Sequence, residues 1–420
     1  MQQSIKMIKS LKISQEQLFM LSVLLVNGGN YLYNLLLGRI LGPAQFADAA
    51  VLITFLLVLS FVAMTFQLVT AKFSVLLENN VLINFLTTIY KNSTAIGIGF
   101  GTLIIIFSKQ LQTVFNTSSS SMFVIFGVGV PLYFVMSVNR GVYQGKKEFK
   151  KLSITYQLEM LSRLVLTISL IYLLGLKSSI VIAIGILLSF VFGLIPFNTK
   201  NFNLNIKGQL LASDKKAIKH FLLVTAFYEL TQIIINNSDI LLVKHYFPSH
   251  DAGLYASLAL IGRIVYFIAW MFVMLLLPEV VQLKKEGKDP SKILFKYILY
   301  IAAIAITIIV GCALFPNLAI TLLFGEQYLD VAPLLWKYAT ATGLFALSNI
   351  FAYYYLSLDK YVPVLISAVF GVLQVVLIFL FHSTLEEVVY MQIIAMVLLL
   401  LVQLTFYITG LEIKSKSSQT

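Results

Sequence analysis

Long apolar runs alternate with short polar connections along the whole chain. Runs of about 20 residues, enough to cross a hydrocarbon core ~30 Å thick, recur at about 17–37, 48–71, 88–108, 121–143, 152–174, 178–198, 219–243, 253–278, 293–315, 331–357, 361–382 and 387–409. The pattern predicts twelve membrane-spanning helices. The longest polar stretch inside the chain, Asn198 to His220, divides them six and six. Because six is even, both halves enter from the same side, so duplicated halves are parallel repeats related by a pseudo-two-fold axis along the membrane normal. The expected organisation is an all-α integral membrane protein. It has one six-helix bundle over 1–198, a cytoplasmic linker over 199–218, and a second bundle with a short tail over 219–420.

Composition excludes a soluble globule: 59% of the 420 residues are hydrophobic and 11% charged, too little polar surface to cover the chain. Lys6, Lys9 and Lys12, the Arg140 to Lys151 turn, the Lys200 to Lys219 stretch and the Lys284 to Lys296 cluster all fall on one side of a twelve-span map. The positive-inside rule therefore places both termini in the cytoplasm. The net charge of +12 is a topological signal and calls for no nucleic-acid partner. No cleavable signal peptide is expected, since the first apolar run is a full span with no small-residue cleavage site after it. Cys312 stands alone, and the four histidines lack ligand spacing, so neither a metal nor a cofactor is expected.

Polar residues then interrupt two of the spans. In VNGGNYLYNLLLGRILGP, Asn27, Asn30 and Asn34 repeat at three and four; in AFYELTQIIINNSDILLVKHY, Glu229, Gln232, Asn236 and Asp239 follow at three, four and three. Each set shares one helical face. Laying Asn34 onward on Asp239 onward without a gap superimposes Arg39 on Lys244, Pro43 on Pro248 and Ala47 on Ala252, and puts Gln232 on Asn27. This supports duplication and places the polar stripes on corresponding helices. Amides in a span either line a wet cavity or hold helices together, with Gly28 and Gly29 giving close approach. The carboxylates favour the cavity, because a dry interface would cost several kcal/mol for each one left without a partner.

Two arginines also lie within spans. Arg163 has Glu159 four residues before it, in the orientation for an intrahelical pair. Arg263 has no acid within helical reach, so its expected partner is either Glu229 or a ligand anion. A guanidinium fork suits phosphate. The candidate substrate-binding residues are Arg263, Arg163, Asn27, Asn30, Asn34, Gln232 and Asn236; the candidate coupling residues are Glu229 and Asp239. Asp239, close to the end of its span, is expected to be hydrated. Tyr31, Tyr33, Tyr228, Tyr255, Tyr266 and Trp270 offer faces for sugar rings or anchor the membrane interface. The external loops are short, and the longest, Phe315 to Val331, reads as an interfacial or re-entrant segment.

Twelve spans in two parallel halves, NYLYNLLLGRILGPAQFADAAVL, RGVYQGKKEFKKLS and LLFGEQYLDVAPLLW together resemble the polysaccharide and oligosaccharide-lipid flippases of the multidrug/oligosaccharidyl-lipid/polysaccharide exporter superfamily. The resemblance covers essentially the whole chain. One departure is Asp48, where such proteins carry glycine; Gly253 keeps it in the second half. The resemblance implies a bundle whose first, second, seventh and eighth spans line a central cationic cavity open alternately to the two sides. It implies a transporter rather than an enzyme, in a bacterial or archaeal cytoplasmic membrane. The expected cargo is a lipid-linked oligosaccharide on undecaprenyl diphosphate, drawn from membrane lipid and coupled to a proton or sodium ion. A cation-coupled multidrug exporter of the same superfamily and a membrane enzyme of polysaccharide assembly are the alternatives.

Overall fold

The computed structural model describes residues 15–175, 178–197, 212–266, 268–269, 276, 279–280, 283, 286–358, 360 and 362–417. The N-terminal lysines, the linker as far as residue 211, Trp270, Lys284, Lys285 and parts of the eighth span lie outside them. Among the described residues the structure is helical, with no strand. The helices are α1 (Gln15–Leu41), α2 (Pro43–Leu76), α3 (Asn79–Ile106), α4 (Ser108–Val114), α5 (Ser121–Gly145), α6 (Phe149–Leu174) and α7 (Ser179–Gly193). They continue as α8 (Ala212–Tyr246), α9 (Ser249–Gly262), α10 (Ser291–Leu314), α11 (Pro316–Leu323), α12 (Leu335–Ser357), α13 (Val362–Leu380) and α14 (Leu385–Ser417), with a 3-10 segment at Glu326–Leu334.

Each predicted span overlaps one of these helices, the eighth only through its first part, as far as Gly262. Among the described residues, 8 helices are long and apolar enough to cross a membrane. Their outward faces carry the apolar side chains that lipid requires, among them Leu173, Ile306, Leu314 and Val369, each more than 60% exposed. This is a multi-pass, all-α membrane protein.

The boundaries follow local chemistry. α1 ends at Leu41 because Gly42 adopts a left-handed φ of 77°, which closes the helix, and Pro43 then opens α2 where its missing N–H costs nothing. Pro248 plays the matching role as N-cap of α9.

The chain forms two compact units. Unit 1 takes the described part of Met1–Leu37 together with Leu59–Glu229; unit 2 takes Gly38–Val58 and Leu230–Thr420. Their limits differ from 1–198 and 219–420: the turn between α1 and α2 belongs to unit 2, and the start of α8 belongs to unit 1. In unit 1, α3, α5, α6 and α7 pack around Phe123, Phe126, Phe134 and Phe190, all essentially inaccessible, with the Tyr133 ring stacked 5.0 Å from that of Phe190. In unit 2, α12 is the central helix, touching α9, α10, α13 and α14. Val265, Ile301, Ile350 and Phe351 fill its core.

The segment after α10 is amphipathic. Leu318 and Leu322 point outward, while Phe324 and Tyr328 are fully buried. Tyr328 donates to the carbonyl of Gly38 at 2.8 Å, and both rings pack against Phe46.

Candidate functional site

Each unit carries a buried cluster built around an arginine and a carboxylate. In unit 1 the cluster is built where α5 and α6 run side by side. Glu159 receives Arg163, one turn further along α6, at 3.0 Å, as the sequence spacing anticipates. It also receives Arg140 of α5 at 2.7 Å. Arg140 is fixed further by its Nε on the Thr155 hydroxyl (3.1 Å) and its Nη2 on the Thr155 carbonyl (2.9 Å), and its guanidinium lies 4.0 Å from the Tyr156 ring centre. Sequence reasoning missed this residue, counting it with the cytoplasmic lysines. The signal was its distance from them, since Arg140 is more than one turn inside α5.

Two guanidiniums thus share one carboxylate, and the cluster keeps one positive charge. Arg163 is the less fully hydrogen-bonded of the two. Its Nη2 donates to Glu159 and to Asn30 Oδ1 at 3.1 Å, but its buried Nε has no hydrogen-bond partner among the described residues.

The first asparagine stripe splits on inspection. Asn30 joins this cluster. Asn34 turns its amide back onto the Asn30 carbonyl at 2.8 Å, while Asn27 is exposed, outside this cluster. Gly29 packs on the Met160 side chain of α6, so the helix-packing reading holds for that position.

Unit 2 holds a network centred on Asp239. Arg263 Nη2 donates to its Oδ1 at 2.8 Å; Tyr338 and Tyr255 donate to its Oδ2 at 2.7 and 3.1 Å, and Gln392 approaches at 3.5 Å. Arg263 also places Nε on the Tyr338 hydroxyl (3.2 Å) and Nη1 on Asn237 Oδ1 (3.3 Å). Two expectations are corrected here. The partner of Arg263 is Asp239, not Glu229. And Asp239 is 1% exposed, not hydrated, because three helices close over it and supply the hydrogen bonds that water would have made.

The remaining predicted residues divide. Asn236 donates to the Gln232 carbonyl at 2.8 Å and lines a pocket with Arg263, Tyr338, Thr342, Gln374 and Gln392. Gln232 is buried, and neither of its amide atoms is hydrogen-bonded among the described residues. Glu229 is half-buried and makes no ion pair among the described residues. Tyr33 and Tyr255 present no open face, being 2% and 0% exposed. Tyr266 stacks on Phe345.

A second ion pair in unit 2 accounts for the unusual Asp48. Its carboxylate lies 3.0 Å from Lys244 Nζ, both side chains buried, and Lys244 also donates to Ser249 at 2.6 Å. Gly253, the counterpart of Asp48 in the gapless register, has no space for a side chain, because a Cβ there would collide with the Pro43 carbonyl.

Solved structures give the fold independently. An inward-facing multidrug resistance MATE family transporter of the MOP superfamily aligns at a TM-score of 0.76 with 14% identity, covering 91% of this chain and 94% of that one. The lipid II flippase MurJ, in an inward closed conformation, aligns at 0.74 with 14% identity over 93% and 87%. A MOP superfamily transporter from Pyrococcus furiosus aligns at 0.57 with 15% identity over 94% of each chain. At these identities the shared property is the fold. A comparison with curated protein sequences finds no match. The family profile described as polysaccharide biosynthesis protein matches residues 36–333, well over half the chain, and the protein belongs to that family.

Proposed function

We propose that the protein is a flippase that carries a lipid-diphosphate-linked oligosaccharide across the cytoplasmic membrane by alternating access, for cell-surface polysaccharide assembly. In this reading the sequence halves 1–198 and 219–420 are the moving repeats, both termini are cytoplasmic, and the cargo is linked to undecaprenyl diphosphate.

The observation that carries it is the Arg140–Glu159–Arg163 cluster. A buried cluster with a net positive charge and an unpartnered guanidinium N–H is suited to a diphosphate, which accepts paired hydrogen bonds from such a fork. Membership of a polysaccharide biosynthesis family supports the glycan-bearing cargo. Export of cationic drugs would instead call for a carboxylate free to meet them. Glu159, Asp239 and Asp48 are each already held by an arginine or lysine, which leaves Glu229 as the half-buried carboxylate such a cation would have to use.

Purified protein in proteoliposomes, given a fluorescent undecaprenyl diphosphate sugar, tests the reading through the fraction of dye that becomes accessible to a membrane-impermeant quencher. The protein should accelerate that movement, and Arg163→Gln should slow it by about 10- to 100-fold, the range expected for one charge-assisted hydrogen bond. Movement of cationic dyes with none of the lipid would establish the multidrug exporter instead.

A further inference from the structure

A second set of polar groups adjoins the Arg140–Glu159–Arg163 cluster inside unit 1. The seam between α1 and α6 runs from the Phe19–Phe149 ring stack through Gln157 on Ser22, Gly29 against Met160 and Arg163 on Asn30. One turn further along both helices it reaches Tyr33 and Thr167. There the two hydroxyls face each other, and the Arg163 guanidinium lies 5.9 Å from the Tyr33 ring centre. This last turn holds three buried polar atoms, Arg163 Nε and the hydroxyls of Tyr33 and Thr167, on residues that are 8%, 2% and 0% exposed. None of the three makes a hydrogen bond among the described residues.

Thr167 shows that the arrangement is specific. A threonine inside a helix readily turns its hydroxyl back onto the carbonyl four residues before it, as Thr65, Thr70, Thr88 and Thr340 do. Thr167 forgoes that bond. Its oxygen lies against Gly185 of α7, where a Cβ would collide with it, so the glycine is what lets the hydroxyl take this direction. So close an approach, among residues that are nearly inaccessible, limits a ligand here to the size of a single atom.

The chemistry of the three groups and the charge point to the same ligand. Nε–H can only donate, and each hydroxyl can turn to donate. Among the described residues the two guanidiniums pair with Glu159 and with no other acid, so one positive charge stays buried without a counter-charge. A water molecule would accept from Nε but leave that charge uncompensated, and a metal cation would meet a guanidinium. A monatomic anion satisfies the donors and the charge together. We propose that Arg163, Tyr33 and Thr167 bind one halide-sized anion, such as chloride, as the counter-ion of the arginine cluster. In the flippase reading, on which this second step alone rests, the diphosphate displaces the ion at Arg163 as α1 moves off α6.

The test follows the thermal unfolding midpoint of the full-length protein in detergent while sodium gluconate is replaced by sodium chloride or bromide at constant ionic strength, so that screening is unchanged. Either halide should raise the midpoint along a saturating curve. Tyr33→Phe and Thr167→Val each remove one hydroxyl and leave the charge of the cluster intact; each should raise the half-saturating halide concentration about 10-fold. Arg163→Gln, which removes the charge, should abolish the dependence. In crystals of the unaltered protein soaked in bromide, an anomalous-scattering peak should stand against Arg163 Nε, a result that needs no variant to fold. No halide dependence in the unaltered protein, as a water at this point would give, or an unchanged half-saturating concentration in both hydroxyl variants, overturns the proposal. Inorganic diphosphate separates the ion from the cargo. Competition with bromide supports the exchange, whereas bromide binding without competition leaves the ion site standing and removes the diphosphate from Arg163. Movement of undecaprenyl diphosphate sugar by a protein that binds no halide overturns the ion site and leaves the flippase reading intact.

Discussion

Asp48 and Lys244 offer the sharpest test of how unit 2 is held together. Their side chains are 5% and 1% exposed and their charges lie 3.0 Å apart. At an effective dielectric of 20 the attraction is roughly 5–6 kcal/mol, most of it offset by desolvation of the two groups. Removing one partner leaves that desolvation without its compensation, which costs about 3–5 kcal/mol. Lys244→Met and Asp48→Ala should therefore each lower the unfolding temperature in detergent substantially, at about 2–4 °C per kcal/mol for a unit of this size. The double variant removes both charges and should recover most of the loss, giving a coupling of about 3 kcal/mol in a double-mutant cycle. Asp48→Gly restores the residue that the family pattern carries at this turn. It is expected to destabilise all the same, unless Lys244 is changed with it. Intrinsic fluorescence during a thermal ramp reads all four proteins. Single losses that simply add in the double variant would refute the reasoning, since the two charges would then not be compensating each other.

Arg263→Ala should strand the buried Asp239 and reduce the protein recovered from the membrane. Arg263→Lys should restore only part, because a single ammonium cannot serve Tyr338, Asn237 and Asp239 as the three guanidinium nitrogens do; normal recovery of the alanine variant would contradict this. With Asp239 neutralised, Glu229 remains the candidate coupling carboxylate; if it carries the proton, Glu229→Gln should keep cargo binding and lose the dependence of transport on the proton gradient, and unchanged gradient dependence would rule it out. Gly253→Ala should cost about 1–3 kcal/mol by overpacking against the Pro43 carbonyl, read as a lower unfolding temperature. In a Cys312→Ala background, a cysteine at Gln45 or His250 should react with an impermeant reagent in intact cells, and labelling of a cysteine in the linker instead would invert the topology.

The spans were legible because the signal for a membrane helix is local. An apolar run of sufficient length needs no knowledge of its neighbours, since in hydrocarbon the backbone must satisfy its own hydrogen bonds whatever packs beside it. The same holds for the stop at Gly42 and Pro43 and for the pair Glu159 and Arg163, which one helical turn brings together. The partners of the other buried charges were a matter of tertiary structure. Arg263 found its acid 24 residues back on α8, with a tyrosine 75 residues ahead and a glutamine 153 residues from that acid completing the shell. Arg140 reached Glu159 across the α5–α6 hairpin, and Asp48 met a lysine from the other half of the sequence. Helical periodicity states which residues share a face, but it does not state which face of which helix lies opposite. That depends on how each helix is rotated and how deeply its side chains interdigitate, and those quantities are set by packing across the whole unit. So the polar stripes could be drawn from the sequence, while the division into a positively charged cluster around Glu159 and a neutralised one around Asp239 required the fold.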